Sequence, residues 1–197
     1  SAAWWTSTAS VVDGLSVKMF VAWLLMQCVK YLSTDEAGVL EIWKPLVSEA
    51  VKMVVMNRTA GLSAADTMAF FPCCFAVMVV ESATKHSAQR EELLRTEVVE
   101  ALEYACAHDF NYLGVSIGTY AAGAVTELVG RNEEGKTLSR ETVFAVLSRA
   151  ARWFDETHYR SKQTPQQTSA NLSRVATMAI SDTNKRLMLQ FDGVVEL

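Results

Sequence analysis

The chain has 197 residues, half of them hydrophobic and a fifth charged. That is enough for one or two domains with a real core, and it excludes a wholly disordered chain. Three prolines and nine glycines favour long uninterrupted helices, and a formal net charge of -4 gives no reason to expect nucleic-acid binding.

Residues 1–10 (SAAWWTSTAS) read as an irregular lead-in, without the basic start and long apolar core of a secretory signal. Residues 11–197 are expected to form one helical repeat domain. A helix is predicted from Val11 to about Leu32, striped by Phe20, Leu24, Cys28 and Tyr31. It is apolar nearly all round and so expected to be central. Thr34-Asp35-Glu36 opens the next segment. Pro45 is expected to end a short helix near Lys44, because its ring removes a donor and clashes with the preceding turn. A longer helix then runs to about Met56, with Leu46, Ala50, Met53 and Val54 inward, followed by a loop over 57–62.

Ser63 and Asp66 cap a third segment that runs through Phe70, Cys73, Val77 and Val80 to about Thr84, kinked at Pro72. Polar residues from Lys85 to Arg90 read as a break. Glu91 to His108 reads as one helix striped by Leu94, Val98, Leu102 and Cys106. After a turn over 109–113, Val115 to Val129 is helical and rich in small residues. Ser139 and Glu141 start a helix through Val143, Val146, Leu147, Ala150 and Phe154, and 159–167 is the most loop-like stretch.

The apolar runs Met19–Val29 and Met68–Val80 fall short of the roughly 20 residues of a membrane span. Cys28, Cys73, Cys74 and Cys106 all lie in apolar stretches. They form no C-x-x-C and keep no ligand spacing to His86, His108 or His158. Buried thiols in a reducing, cytoplasmic setting are expected, with no metal site and no cofactor. Met19, Met26, Met53, Met56, Met68 and Met78 fall at helical spacing and read as core. Asn57-Arg58-Thr59 and Asn171-Leu172-Ser173 match the glycosylation pattern, which means nothing without secretion.

The last thirty residues, Thr168 to Leu197, carry the most specific pattern. Leu172, Val175, Ala176, Ala179 and Ile180 share a helix face, and Ser181 and Asp182 are good N-cap residues. Asn184-Lys185-Arg186-Leu187 follows, then Asp192-Gly193 and Val194-Val195-Glu196-Leu197. This stretch resembles the junction between two armadillo repeats. There a third helix ends, a polar N-K/R-R-L turn follows, and a Gly precedes V-x-x-L at the start of the next helix. The resemblance implies an all-α chain, a right-handed α-solenoid of about four armadillo-like or HEAT-like repeats. It also implies a non-enzymatic protein-binding scaffold whose third helices line a groove for extended peptides or partner helices. The corresponding turn here, Arg174-Val175-Ala176-Thr177-Met178, lacks the asparagine that clamps a ligand backbone in peptide-binding members. Trp23, Tyr120 and Arg174 are candidate partner-binding residues by position alone.

Helices that could be third helices start near Ser16, Asp66, Val115 and Thr168, about fifty residues apart. Between them LVSEAV (46–51), VVEALEYA (98–105), VFAVLSRA (143–150) and VVEL (194–197) correspond. Stacked units of this kind share a continuous core that none could form alone. An irregular helical bundle is the alternative architecture. The final Val194–Leu197 reads as an unfinished amphipathic helix, so a fragment of a longer array, or an end packed on another subunit, is expected.

One motif argues for an enzyme. Gly130-Arg-Asn-Glu-Glu-Gly135-Lys136-Thr137 satisfies G-x-x-x-x-G-K-[ST], in which glycines open backbone N–H groups to phosphates, the lysine reaches the terminal phosphates and the hydroxyl binds Mg²⁺. The motif needs a buried strand before it, whereas Tyr120 to Val129 reads as helix. Glu133 and Glu134 would also repel phosphate. The loop reading is preferred and no catalytic residue is assigned. Asp155-Glu156-Thr157-His158 reads as a solvated corner, and Glu100 and Glu103 as surface. Residues 136–190 carry nine basic against four acidic residues. That excess reads as a solvated face or as a surface for an acidic protein partner.

Overall fold

The computed structural model describes residues 36–60, 67–108, 111–112, 115–130, 137–151 and 165–191, together with Val17 and Leu24. Among the described residues there are eight helices: α1 (Glu36–Ala60), α2 (Thr67–Ala83), α3 (Ser87–Leu93), α4 (Val98–Ala107), α5 (Ile117–Val129), α6 (Arg140–Ala151), α7 (Pro165–Met178) and α8 (Asp182–Met188). The only β-structure among them is a two-residue antiparallel pair, β1 (Asn111–Tyr112) with β2 (Val115–Ser116), which delivers the chain to Ser116. Ser116 caps α5 by accepting from the Thr119 N–H at 3.0 Å. The chain is therefore all-α. No described helix is long and apolar enough to cross a membrane.

The helices pack in two rows. In one, α1 lies on α4 and α4 on α6; in the other, α2 lies on α5 and α5 on α7. Cross-contacts α1–α2, α4–α5 and α6–α7 tie the rows together, and α8 closes against α6. The core runs between the rows. Val47, Ala50 and Val54 of α1 meet Cys73, Val77 and Val80 of α2, then Val98, Leu102 and Cys106 of α4, then Val143, Val146 and Leu147 of α6. Burying each large aliphatic side chain contributes about 1.5–3 kcal/mol relative to exposure. In α5, Gly118, Ala121, Ala122, Gly123 and Ala124 are all buried. Their small size lets α2 and α7 both pack on α5.

Several element boundaries differ from those predicted. Helix α1 runs straight through Pro45 and on past Met56 to Ala60. A proline forfeits one helix hydrogen bond and crowds the preceding turn, but packing of Val47, Ala50 and Val54 holds the segment helical. The predicted helix over 91–108 is two. The Thr96 hydroxyl donates to the Leu93 carbonyl at 2.8 Å and accepts from the Val98 N–H at 3.2 Å, so it ends one ladder and starts the next. The predicted break at 85–90 holds the first turn of α3, and the predicted loop at 159–167 yields to α7 from Pro165, a good first helical residue.

The apolar face predicted over 172–180 is only partly inward: Val175 packs against the core and Ala179 is half-buried. Leu172 and Ile180 were expected inside yet are 43% and 58% exposed, and Ala176 is exposed. Met178 and Asn171 are the buried positions, with Arg174 mostly covered. Met56, predicted core, is 66% exposed. Leu24, predicted inside, is helical and 40% exposed: an all-round apolar helix need not find cover for every face. The lead-in 1–10, the rest of the first helix, the cap at Ser63 and the segment 192–197 lie outside the described residues.

Candidate functional site

The most concentrated polar chemistry lies where α2, α5 and α7 meet. Tyr120, Gly123 and Glu127 follow one another down one face of α5, at offsets of three and four. Helix α2 brings Glu81 to this face, and α7 brings Asn171 and Arg174. Arg174 Nη1 donates to Asn171 Oδ1 at 2.9 Å, one turn back on its own helix. Its Nη2 lies 3.8 Å from Glu81 Oε1, an ion pair too long for a hydrogen bond. The two side chains are only 13% and 18% exposed.

Gly123 makes this approach possible. A Cβ there would sit 2.6 Å from Glu81 Oε1 and 2.9 Å from Arg174 Nη2. The pair therefore crosses directly over the bare backbone of α5. Burial pulls the Arg174 pKa below the usual guanidinium value, an effect that Glu81 opposes. Burial also raises Tyr120 above the ordinary phenol, with Cys74 and Glu81 adding to the rise and Arg174 offsetting it.

A second arginine stands behind the first. Arg149 of α6 is buried; its Nη2 donates to the Cys106 carbonyl at 2.8 Å and its Nη1 to the Ala145 carbonyl at 2.9 Å. Cys106 Sγ is 3.6 Å from Nη1. This arginine ties the end of α4 to α6. Glu103, read from the sequence as surface, accepts from the Ser139 N–H at 2.6 Å and so anchors the start of α6. Glu100 is exposed.

Of the positional candidates, Tyr120 and Arg174 converge at this junction, and Trp23 lies outside the described residues. Glu81 and Asn171 were not singled out as binding residues by sequence reasoning. Asn171 stood out only within a glycosylation pattern, and it is 6% exposed with its oxygen engaged by Arg174. Glu81 and Arg174 lie more than ninety positions apart in the chain, so their pairing leaves no local signal.

Gly130 ends α5 in helical conformation, and its carbonyl accepts from Asn184 Nδ2 at 2.8 Å. The phosphate-loop motif thus follows a helix rather than a strand. Gly135 and Lys136 lie outside the described residues, and Thr137 is exposed. Cys73, Cys74 and Cys106 are free and buried, and burial pushes both Cys73 and Cys74 up to about 12. Among the described residues, no group of His, Cys, Asp or Glu could hold a metal ion. The basic excess after residue 136 is not one face: Arg140, Lys185 and Arg186 are exposed, whereas Arg149 and Arg174 point inward. No family model matches the chain, and neither the curated proteins nor the solved structures include a match.

Proposed function

We propose that the chain is a non-enzymatic protein–protein interaction scaffold, built as an armadillo-like α-solenoid, that binds an extended partner along the row α2–α5–α7. The observation that carries this reading is the order of packing. In the row α2–α5–α7, helices starting at Thr67, Ile117 and Pro165, about fifty residues apart, stack on one another; the row α1–α4–α6 stacks in the same order at less even spacing, as units do when each shares its core with the next. The row expected to line a groove is also the row that holds Glu81, Tyr120, Asn171 and Arg174. Buried free thiols at Cys73, Cys74 and Cys106 support a reducing, cytoplasmic setting.

A nucleotide-binding reading through Gly130–Thr137 is disfavoured by the helix that precedes the motif. A third reading, a structural subunit of a larger helical assembly, is favoured by one observation. Leu172, Ala176 and Ile180 form an exposed apolar face on and just beyond α7, and Leu189 is 78% exposed nearby in sequence.

The test is a nuclear magnetic resonance titration of the labelled chain with a mixed pool of extended peptides, and separately with MgATP and MgGTP. Peptide-dependent shifts along α2, α5 and α7, with none from nucleotide, are expected. Mg²⁺-dependent nucleotide binding that is lost in Lys136→Ala would overturn the scaffold reading. Concentration-dependent self-association broken by Ile180→Asp would favour the subunit reading.

A further inference from the structure

The guanidinium of Arg174 is under-used. Arginine carries five N–H donors. Here one reaches Asn171 Oδ1, and Glu81 lies at 3.8 Å, beyond hydrogen-bond distance. No other hydrogen bond or ion pair engages Arg174 among the described residues. Among the described residues the buried side-chain polar atoms without a partner are Arg149 Nε and Asn184 Oδ1, so the open donors of Arg174 reach the surface, where a partner can meet them. The Tyr120 hydroxyl is in the same condition: half-buried, one turn before Gly123 on the same face, and without a hydrogen bond among the described residues.

Resting on the scaffold reading, we propose that Arg174 and Tyr120 form a recognition point for a carboxylate on an extended partner, an acidic side chain that takes over the guanidinium edge loosely held by Glu81. Glu81 then acts as an internal placeholder. It keeps Arg174 lying over Gly123 while the partner is absent, through an ion pair 3.8 Å long rather than a hydrogen bond. Arginine suits the task because its planar fork matches a carboxylate in two parallel bonds, which lysine cannot do. The phenol adds a third donor from the adjoining turn.

The charges around the point select the ligand. Besides Glu81, Glu127 and the more distant Arg149 act on the Arg174 guanidinium with opposite sign. A single negative charge that displaces Glu81 is tolerated there. A phosphate, with close to two negative charges, would face both glutamates and is disfavoured.

The test uses the full chain and two short capped Gly/Ser peptides that differ only in a central Glu or Gln. The readout is the side-chain Nε–Hε resonance of Arg174 with the backbone signals of α5 and α7. The Glu peptide is expected to shift these signals and to bind roughly five- to tenfold more tightly than the Gln peptide. Glu81→Gln is expected to tighten the Glu peptide several-fold by removing the competitor. Tyr120→Phe and Arg174→Gln are expected to weaken it. Should Arg174→Gln fail to fold by circular dichroism, Arg174→Lys retains the charge without the fork and is expected to bind weakly. Equal binding of the two peptides would overturn carboxylate recognition and leave the scaffold reading standing. An absence of shifts along α2, α5 and α7 with either peptide would overturn both.

Discussion

The side-chain amide of Asn184 donates to the carbonyl of Gly130 at 2.8 Å, so the first turn of α8 closes the C-terminal end of α5. Asn184 is fully buried, and Ser181 caps the turn that holds it by accepting from the Asn184 N–H at 3.4 Å. Asn184 Oδ1 has no hydrogen-bond partner among the described residues, so within them the amide stabilises through its donor alone. Asn184→Leu leaves a helix-end carbonyl buried and unpaired and is expected to cost about 1–3 kcal/mol. Asn184→Asp puts a carboxylate against that carbonyl and is expected to cost more. Urea unfolding followed by circular dichroism checks the order.

Gly123 and Gly130 respond differently to alanine. A methyl at Gly123 meets the far ends of the flexible Glu81 and Arg174 side chains rather than backbone. The gain in helix propensity of about 1 kcal/mol then offsets much of the loss, and Gly123→Ala is expected to stay within about 1 kcal/mol of the parent. A methyl at Gly130 runs into the backbone carbonyl of Thr126, which cannot move without opening the helix. Gly130→Ala is expected to cost about 1–3 kcal/mol. Equal unfolding midpoints for the two variants would refute the distinction.

Arg149 bridges α6 to the last turn of α4 through the Cys106 carbonyl. Arg149→Ala removes that bond and the packing of its aliphatic stem, and is expected to cost about 2–4 kcal/mol. Arg149→Met keeps the stem volume and removes the buried charge, so it is expected to be the milder change. Thermal unfolding of the pair decides whether volume or charge dominates here.

The cysteines give a pH dependence. The folded pKa of Cys73 and Cys74 is about 12, above the ordinary value of 9.0. The unfolded chain therefore loses these protons first. Their contribution is complete below about pH 9 and is lost as pH rises from there toward 12. The urea midpoint is expected to hold between pH 7 and 8.5 and to fall above pH 9, less so in a Cys73→Ala, Cys74→Ala double variant. In the native state both thiols are expected to resist alkylation at pH 8, because the thiolate is the nucleophile and it is scarce and buried. Rapid labelling without unfolding would contradict this.

Residue pattern alone determined the all-α character and most of the inward stripes. Val98, Leu102 and Cys106 of α4, and Val143, Val146, Leu147 and Ala150 of α6, lie where an apolar repeat of three and four places them. Ser181 caps α8 as its position suggested. These features are local: each depends on residues within a turn or two. Pro45 in mid-helix and the Thr96 break did not follow from pattern. The first depends on packing that outweighs a local penalty, the second on one hydroxyl serving two backbone groups.

The inward face of α7 was decided only by tertiary structure. Of the apolar face that pattern places over 172–180, Val175 packs against the core but Leu172 and Ile180 are exposed, and Asn171 and Arg174 turn toward α5 and α2. A helix buries whichever face finds a complementary neighbour. Here the neighbour is Glu81 across a glycine, more than ninety positions from Arg174 in the chain. An ion pair at that separation leaves no periodic trace, because its energy depends on distance in space and not on spacing in sequence.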